Sequence, residues 1–222
     1  MTDRPYVVLS CAASLDGCLD DAAPERLRLS SPEDFDEIDE LRSTCDAILV
    51  GATTVRRDRP RLLLRSEERR QARRRQGKPE HPAKVVVTRG YDLDPEAPIF
   101  ADDGARKLVY GPGDGAAAAR SLLGSRAEVV APVGGVELSW LLADLRERGV
   151  ERLLVEGGAT VLAWFIGAGA FDRFRLAIAP IFVGDPAAPR LHAPPTSERY
   201  RLVADRHLGD TVILELEPSS AR

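Results

Sequence analysis

Short apolar runs alternate with segments of helical spacing along most of this 222-residue chain. Strand, helix and strand repeated in this order are typical of a mainly parallel sheet with helices on both faces. Because no long helix separates the last two runs, we expect an antiparallel edge. We predict an α/β fold in a single domain over residues 1–222. The predicted strands are residues 5–13, 47–50, 84–87, 107–110, 127–130, 152–156, 173–178 and 211–216, and the predicted helices are 115–123, 138–148, 159–168 and one that begins at Ser31.

The stretch from Leu153 to Thr160 carries the strongest local signal. A strand that ends in Glu156 is followed by two glycines, an alanine and a threonine. Glycines at a strand-to-helix turn let the backbone approach a ligand closely. The N–H groups and the positive dipole end of the next helix favour an anion such as a pyrophosphate. The alternative interpretation is a turn that binds nothing.

Two other polar segments follow predicted strands. The first is Ser14-Leu15-Asp16-Gly17, and the second runs from Val50 to Leu62. Because ligands bind outside the carboxyl ends of the strands in an α/β sheet, we expect both segments and the glycine turn to converge on one crevice. Each also has a purely local interpretation: the first motif as a turn, Gly51 as a tight turn, Thr53 or Thr54 as a helix cap, and Asp58 as a turn residue.

The composition argues against several classes of function. A net charge of −4 from 31 basic and 35 acidic residues is typical of proteins without general affinity for nucleic acid or membrane surfaces. No apolar run is long enough to span a bilayer. Three cysteines without a Cys-x-x-Cys pair, and a start without a signal-peptide pattern, predict a cytoplasmic protein. The three histidines lack ligand spacing, so we expect no zinc site.

The segment from Arg65 to Pro82 is rich in arginine. One hypothesis is a basic patch that binds phosphate or nucleic acid. Because Glu67 and Glu68 lie beside the arginines, and charged runs usually face water, we favour a solvated helix or loop with local ion pairs.

A fourth segment, Ala177 to Gly184, completes a pattern with Ser14–Gly17, with Ala47–Val55 followed by Asp58 and Pro60, and with Val155–Thr160. On these motifs the chain resembles the pyrimidine reductases of riboflavin biosynthesis, the C-terminal reductase domain of RibD. Order and spacing agree from about Pro5 to Leu216. The resemblance implies a dihydrofolate-reductase-like three-layer sandwich, NADPH as cofactor and a homodimer. It also implies a ribosylamino-pyrimidine 5′-phosphate as substrate, whose ribose is reduced to ribitol.

The resemblance also implies which residues bind each ligand. Arg89 is a cation that could meet the 2′-phosphate of NADPH by charge-assisted bonding. The implied cofactor residues are Gly51, Thr53, Thr54 and Asp58 toward the nicotinamide, Thr88 and Arg89 near the adenosine ribose, and Gly157, Gly158, Ala159 and Thr160 at the pyrophosphate. The implied substrate residues are Arg42 and Arg65 at the phosphate, Ser31 near them, and Ser14.

Two carboxylates are candidates for catalysis. Hydride transfer to an opened ribosylamine also requires a proton to be managed, and Asp58 is our candidate for that role. Alternatively, Asp58 only orients cofactor or ribose hydroxyls. Glu156 lines the same site or caps the helix that follows it.

Three features depart from the family pattern. Arg59 stands where the family often has an acid, Ser10 stands where relatives carry Lys or Asn, and the arginine-rich segment is unusually long. They leave open a related NADPH reductase that acts on dihydrofolate or another pterin, and an NADPH-binding protein without catalysis. The sequence has no His-x-Glu or Pro-Cys-x-x-Cys signature of a zinc deaminase, so we expect another protein to perform any deamination.

Overall fold

The structure, a computed structural model, describes residues 3–23, 27–191 and 199–219. Its strands belong to one nine-stranded mixed sheet accompanied by helices. The strands are β1 (Tyr6–Ala13), β2 (Ala47–Gly51), β3 (Ala83–Val87), β4 (Lys107–Tyr110), β5 (Glu128–Val130), β6 (Arg152–Gly157), β7 (Arg173–Ile178), β8 (Tyr200–Leu208) and β9 (Thr211–Pro218). The α-helices are α1 (Pro32–Ser43), α2 (Ala52–Asp58), α3 (Glu67–Arg75), α4 (Ala116–Leu123), α5 (Leu138–Glu147) and α6 (Ala159–Gly167), and short 3₁₀ turns cover Pro98–Phe100 and Gly124–Arg126.

The chain divides into two compact units, each made of two separate segments. The first unit is Met1–Pro5 with Asp39–Leu154, and the second is Tyr6–Ile38 with Val155–Arg222. Helix α1 and strand β6 therefore each contribute residues to both units. The single domain over residues 1–222 stays a prediction.

In the first unit, four parallel strands lie side by side in the order β5-β4-β3-β2. All residues of β2 and β4 are buried, as expected for parallel strands that are covered on both faces. Two buried lysines, Lys84 and Lys107, both pair with Asp103, so each buried ammonium has a carboxylate partner.

In the second unit, β1 runs parallel to β7, and β9 runs antiparallel to both β7 and β8. Helix α1 begins as predicted, because the Ser31 hydroxyl accepts the backbone N–H of Asp34 at 3.2 Å. The side chains of Asp34 and Glu37 on this helix bond to Arg175 of β7.

The predicted mainly parallel sheet with an antiparallel edge is confirmed. All eight predicted strands and the four predicted helices are present, and their ends differ by at most two residues. Strand β8 was missed because polar residues interrupt its apolar pattern. The two-residue sequence Gly209-Asp210 between β8 and β9 is a hairpin signal that would have revealed it. Helix α2 was considered only through a cap at Thr53 or Thr54; the structure instead begins the helix directly at the end of β2, with Gly51 as its N-cap.

The arginine-rich segment is a helix with local ion pairs, as favoured from the sequence. In α3, Arg70 and Arg74 pair with Glu67 and with Glu80 just beyond the helix. Arg73 is different, because it is buried and donates to the backbone carbonyls of Ser43, Cys45 and Pro79 at 2.7–2.9 Å.

Candidate functional site

The parallel strands of the first unit end together at one edge. Their registers pair Gly51 with Val87, Val87 with Tyr110, and Tyr110 with Val130. The residues that follow each strand therefore lie along one carboxyl-end edge, where α/β sheets bind ligands. This edge carries the predicted cofactor residues of α2 and of the turn after β3.

Helix α2 presents its polar residues because its apolar ones are buried. Gly51 lies at the N-cap with extended backbone, and Ala52 and Val55 are buried. Thr53 is exposed and accepts a hydrogen bond from Arg56 at 3.2 Å. Thr54 and Asp58 are half-buried, so both side chains remain accessible at the edge.

Arg59, the departure from the family pattern, bridges α2 to the segment after β3. It adopts left-handed backbone (φ 43°) at the C-cap of α2, and its guanidinium donates to Asp94 at 3.0 Å. Arg56 reaches the same segment and donates to the carbonyl of Asp92 at 2.9 Å. The sequence could not reveal these pairs, because the partners lie 35 and 36 residues apart.

The turn after β3 is closed by Thr88. Its hydroxyl accepts the N–H groups of Gly90 at 3.3 Å and Tyr91 at 3.1 Å, and its own N–H donates to the carbonyl of Tyr110 at 2.9 Å. Arg89 lies within this turn and is exposed. The turn therefore presents the Arg89 cation at the carboxyl-end edge, and its recognition of a 2′-phosphate stays a prediction.

Arg42 and Arg65, the predicted phosphate residues, lie on neighbouring segments of the first unit. Arg42 donates to the carbonyl of Leu63 at 3.5 Å. The backbone N–H of Arg65 donates to the buried carboxylate of Asp39 at 2.6 Å, and Arg69 pairs with the same carboxylate. Asp39 thus fixes the backbone that carries Arg65, whose side chain is exposed.

In the second unit, the first and fourth family motifs bind each other. Asp16 accepts the Ser14 hydroxyl at 2.6 Å and the N–H groups of Val183 at 3.1 Å and Gly184 at 2.9 Å. These bonds, that from Ser14 above all, hold the pKa of Asp16 well below its usual range. Asp16 is absent from the predicted site residues, and its role depends on partners about 167 residues away.

The hydroxyl of Ser14 is buried, and it both donates and accepts a hydrogen bond. It donates to Asp16 and accepts the N–H of Cys18 at 2.9 Å. Ser14 therefore stabilises the loop through its bonds to Asp16 and Cys18. Its contact with substrate stays a prediction.

The turn between β6 and α6 has the shape that the glycines suggested. Gly157 has φ 102°, and a Cβ there would lie 3.3 Å from Leu162. The peptide between Gly157 and Gly158 is cis. Gly158 caps α6, whose first turn contains Ala159 and the exposed Thr160. The first N–H groups of a helix have no acceptor within the helix, which suits an anion.

Glu156 is half-buried at the end of β6. The structure therefore keeps this carboxylate next to the glycine turn, at the end of the same strand. Its catalytic role stays a prediction, as do the binding roles of the other predicted residues and their convergence on one crevice.

Two buried polar atoms in the second unit have no hydrogen-bond partner among the described residues. They are the hydroxyl oxygen of Ser10 and one carboxylate oxygen of Asp34. Ser10 pairs in register with Arg175, which also bonds the other oxygen of Asp34.

In the described ranges, no group of three or more His, Cys, Asp or Glu side chains is placed to hold a metal ion. The described helices include none with the length and apolar character needed to cross a bilayer.

Comparisons with known proteins identify relatives over nearly the whole chain. Residues 5–214 match the family described as the RibD C-terminal domain. The 2,5-diamino-6-ribosylamino-4(3H)-pyrimidinone 5′-phosphate reductase of Archaeoglobus fulgidus is 40% identical over 84% of this chain and 85% of its own length. The protein of the same name from Methanothermobacter thermautotrophicus is 36% identical over 82% of this chain and 80% of its own length.

Solved structures show the same fold. Acinetobacter baumannii RibD superposes with a TM-score of 0.82 at 23% identity, over 99% of this chain and 59% of that one. This chain thus spans somewhat more than half of that RibD. The Saccharomyces cerevisiae riboflavin biosynthesis reductase Rib7 gives a TM-score of 0.75 at 18% identity, over 99% of this chain and 92% of that one.

Proposed function

Because the chain belongs to the RibD C-terminal domain family, we propose that it reduces the ribosyl group of 2,5-diamino-6-ribosylamino-4(3H)-pyrimidinone 5′-phosphate to a ribityl group, with NADPH as reductant. The observation that carries this proposal is the 40% identity to the archaeal reductase, which extends over most of both chains. The reaction belongs to riboflavin biosynthesis, and we place it in the cytoplasm because Cys11, Cys18 and Cys45 are unpaired thiols.

The residues present suit a reduced nicotinamide dinucleotide. Gly157 adopts a positive φ at this turn, where a Cβ would lie 3.3 Å from Leu162, and the first N–H groups of α6 have no acceptor within the helix. These groups would hold the pyrophosphate. Arg89 would pair with a 2′-phosphate, which supports NADPH over NADH.

When bound, the cofactor supplies a hydride to the carbon that was the anomeric centre. Asp58 holds or delivers the proton that accompanies this transfer, at the half-buried end of α2. Arg42 and Arg65 bind the 5′-phosphate and so orient the ribose, and orientation supplies much of the rate in hydride transfer. Glu156 contributes a second carboxylate at the end of β6.

The test is NADPH oxidation by the purified chain, with the ribosylaminopyrimidine phosphate and dihydrofolate run in parallel. We expect oxidation with the first substrate alone. Loss of a positioned acid or base typically costs about 10²- to 10⁴-fold, so Asp58→Ala should lower kcat by that order. Asp102→Asn, an exposed aspartate before the amino end of β4, is the control and should keep wild-type activity. Oxidation with dihydrofolate, or with neither substrate, contradicts the proposed substrate.

We also propose that the enzyme is a homodimer that pairs through one face of the β7-β9-β8 sheet. Residues directly opposite in register share a face, and this face is apolar along β7 and β9, while β8 adds Leu202 together with Asp205 and His207. Leu202 on it is 52% exposed. Contact with a second copy of the chain would remove this apolar sheet face from water, which favours association. The residues are Leu176, Ile178, Leu202, Val212, Leu214 and Leu216.

The oligomeric state of Leu202→Glu tests this interface. We expect the wild type to sediment as a dimer and the variant as a monomer. Leu122→Glu is the matched control, because Leu122 is 48% exposed on α4 in the other unit and should leave the dimer intact. A monomeric wild type, or a dimeric Leu202→Glu, would refute the interface.

A further inference from the structure

A buried tyrosine fixes the turn that carries Arg89. Tyr91 is 8% exposed, and its hydroxyl donates to the carbonyl of Pro112 at 2.8 Å. Burial raises the pKa of Tyr91, so the hydroxyl keeps the proton that it donates. One side chain thus joins the turn after β3 to the loop after β4.

The loop after β4 makes room for this ring. A Cβ on Gly111 would lie 2.6 Å from the ring of Tyr91, and one on Gly115 would lie 3.5 Å from it. At position 111 any side chain would therefore displace the tyrosine. The glycine-rich loop 111–115 therefore accommodates the ring of Tyr91.

Tyr91 is also the last residue of the Thr88–Tyr91 turn after β3. Its backbone N–H donates to the Thr88 hydroxyl at 3.1 Å, and its carbonyl accepts the N–H of Leu93 at 2.8 Å. Thr88 itself is held by the carbonyl of Tyr110 at 2.9 Å. Arg89 therefore lies between two backbone positions, each fixed to β4 or to the loop that follows it.

The backbone of Tyr91 is held in a conformation that bulky residues avoid. Its φ is 55°, and in the described part of the chain the other non-glycine residues with positive φ are Arg59 and Leu62. All three lie in the segments that follow β2 and β3. Such conformations persist where surrounding contacts impose them, and they cluster at binding sites.

We propose that Tyr91 is a positioning residue for recognition of the cofactor 2′-phosphate, and that it acts through Arg89 by seating the Thr88–Tyr91 turn on loop 111–115. This inference rests on the proposed function. A tyrosine with only a structural role would affect NADPH and NADH alike. A tyrosine that positions Arg89 affects the preference between them.

The measurement is the ratio of the dissociation constants of NADH and NADPH, from fluorescence titration of the whole chain. Tyr91→Phe keeps the ring and removes the bond to Pro112, and we expect it to lower this ratio about 2- to 10-fold. Tyr91→Ala should lower it further. Thr44→Val is the matched control, because it also removes a hydroxyl that donates to a backbone carbonyl, that of Leu41 at 2.7 Å, but before the amino end of β2, and it should leave the ratio unchanged.

A double-mutant cycle identifies the residue through which Tyr91 acts. Arg89→Gln should abolish most of the preference for NADPH, and adding Tyr91→Phe to it should cause no further loss. An unchanged ratio in Tyr91→Phe, or additive losses in the double variant, overturns the inference and leaves the proposed function intact. A wild type that binds neither dinucleotide overturns the proposed function as well. Tyr91→Phe makes the test independent of whether Tyr91→Ala folds.

Discussion

Arg175→Met tests the reasoning about buried charge in the second unit. The guanidinium of Arg175 donates to Asp34 at 2.5 Å and to Glu37 at 2.6 Å, and its side chain is only 4% exposed. Glu37 keeps two bonds from Arg206 when Arg175 is removed. The cost therefore falls mainly on Asp34, whose second oxygen already has no hydrogen-bond partner in the described part of the chain.

The magnitude follows from the burial of Asp34. Removing one partner of a buried ion pair typically costs about 3–5 kcal/mol, because the remaining charge stays desolvated. Replacing both partners with apolar side chains is often close to neutral. We therefore expect Arg175→Met to lower the free energy of unfolding by about 3–5 kcal/mol, and the double variant Arg175→Met/Asp34→Leu to recover most of that loss.

Urea denaturation of both variants measures these values, with Arg201→Met as control. Arg201 pairs with Glu217 on the same sheet, but its side chain is 65% exposed, so its removal should cost about 1 kcal/mol or less. A loss no larger than that of Arg201→Met, or a double variant less stable than Arg175→Met, would refute the reasoning.

Three further perturbations probe the two units. The bond from Ser14 and two backbone N–H groups lower the pKa of Asp16, so Asp16 stabilises the fold above its unfolded pKa of about 3.9 and ceases to do so as the pH falls through the folded value. We expect Asp16→Asn to lower the Tm at neutral pH and to flatten its decline toward acid, and an unchanged Tm would contradict this. Gly157→Ala should weaken NADPH binding and destabilise the chain by about 1–2 kcal/mol because φ is 102°; calorimetry showing wild-type values would exclude strain there. A double-mutant cycle of Arg59→Ala and Asp94→Ala should give a coupling below about 1 kcal/mol that vanishes at high salt, and a larger, salt-insensitive value would mean that the pair is not solvent-screened.

Features that depend on neighbours in sequence were predictable. The cap at Ser31, the strands of the parallel sheet and the glycine turn after Glu156 each follow from a few adjacent residue types. The four motifs sufficed to predict the family and the reductase class, and the match over residues 5–214 confirms the family.

Features that depend on distant partners were not predictable. The bond between Asp16 and Val183 joins residues 167 apart, and Arg59 meets Asp94 across 35 residues. The space beside Gly111 has meaning only once the ring of Tyr91 lies over it. No periodicity or composition encodes such pairs, because each is set by the way strands are ordered in the sheet.

The pairing of β1 with β7 has a consequence for the order in which the chain folds. The backbone N–H of Val7 bonds to Asp172, a separation of 165 residues, and β1 pairs with β7 along six positions. During synthesis, β1 leaves the ribosome first and has no β7 to pair with until most of the chain has followed. Contacts of such long range slow folding and leave early strands exposed to other chains. Residues 39–154 of the first unit contain all four of its neighbouring parallel strands, so that part of the sheet can form before β7 is synthesised. Strand β1 therefore remains without its β7 partner for most of the synthesis of the chain.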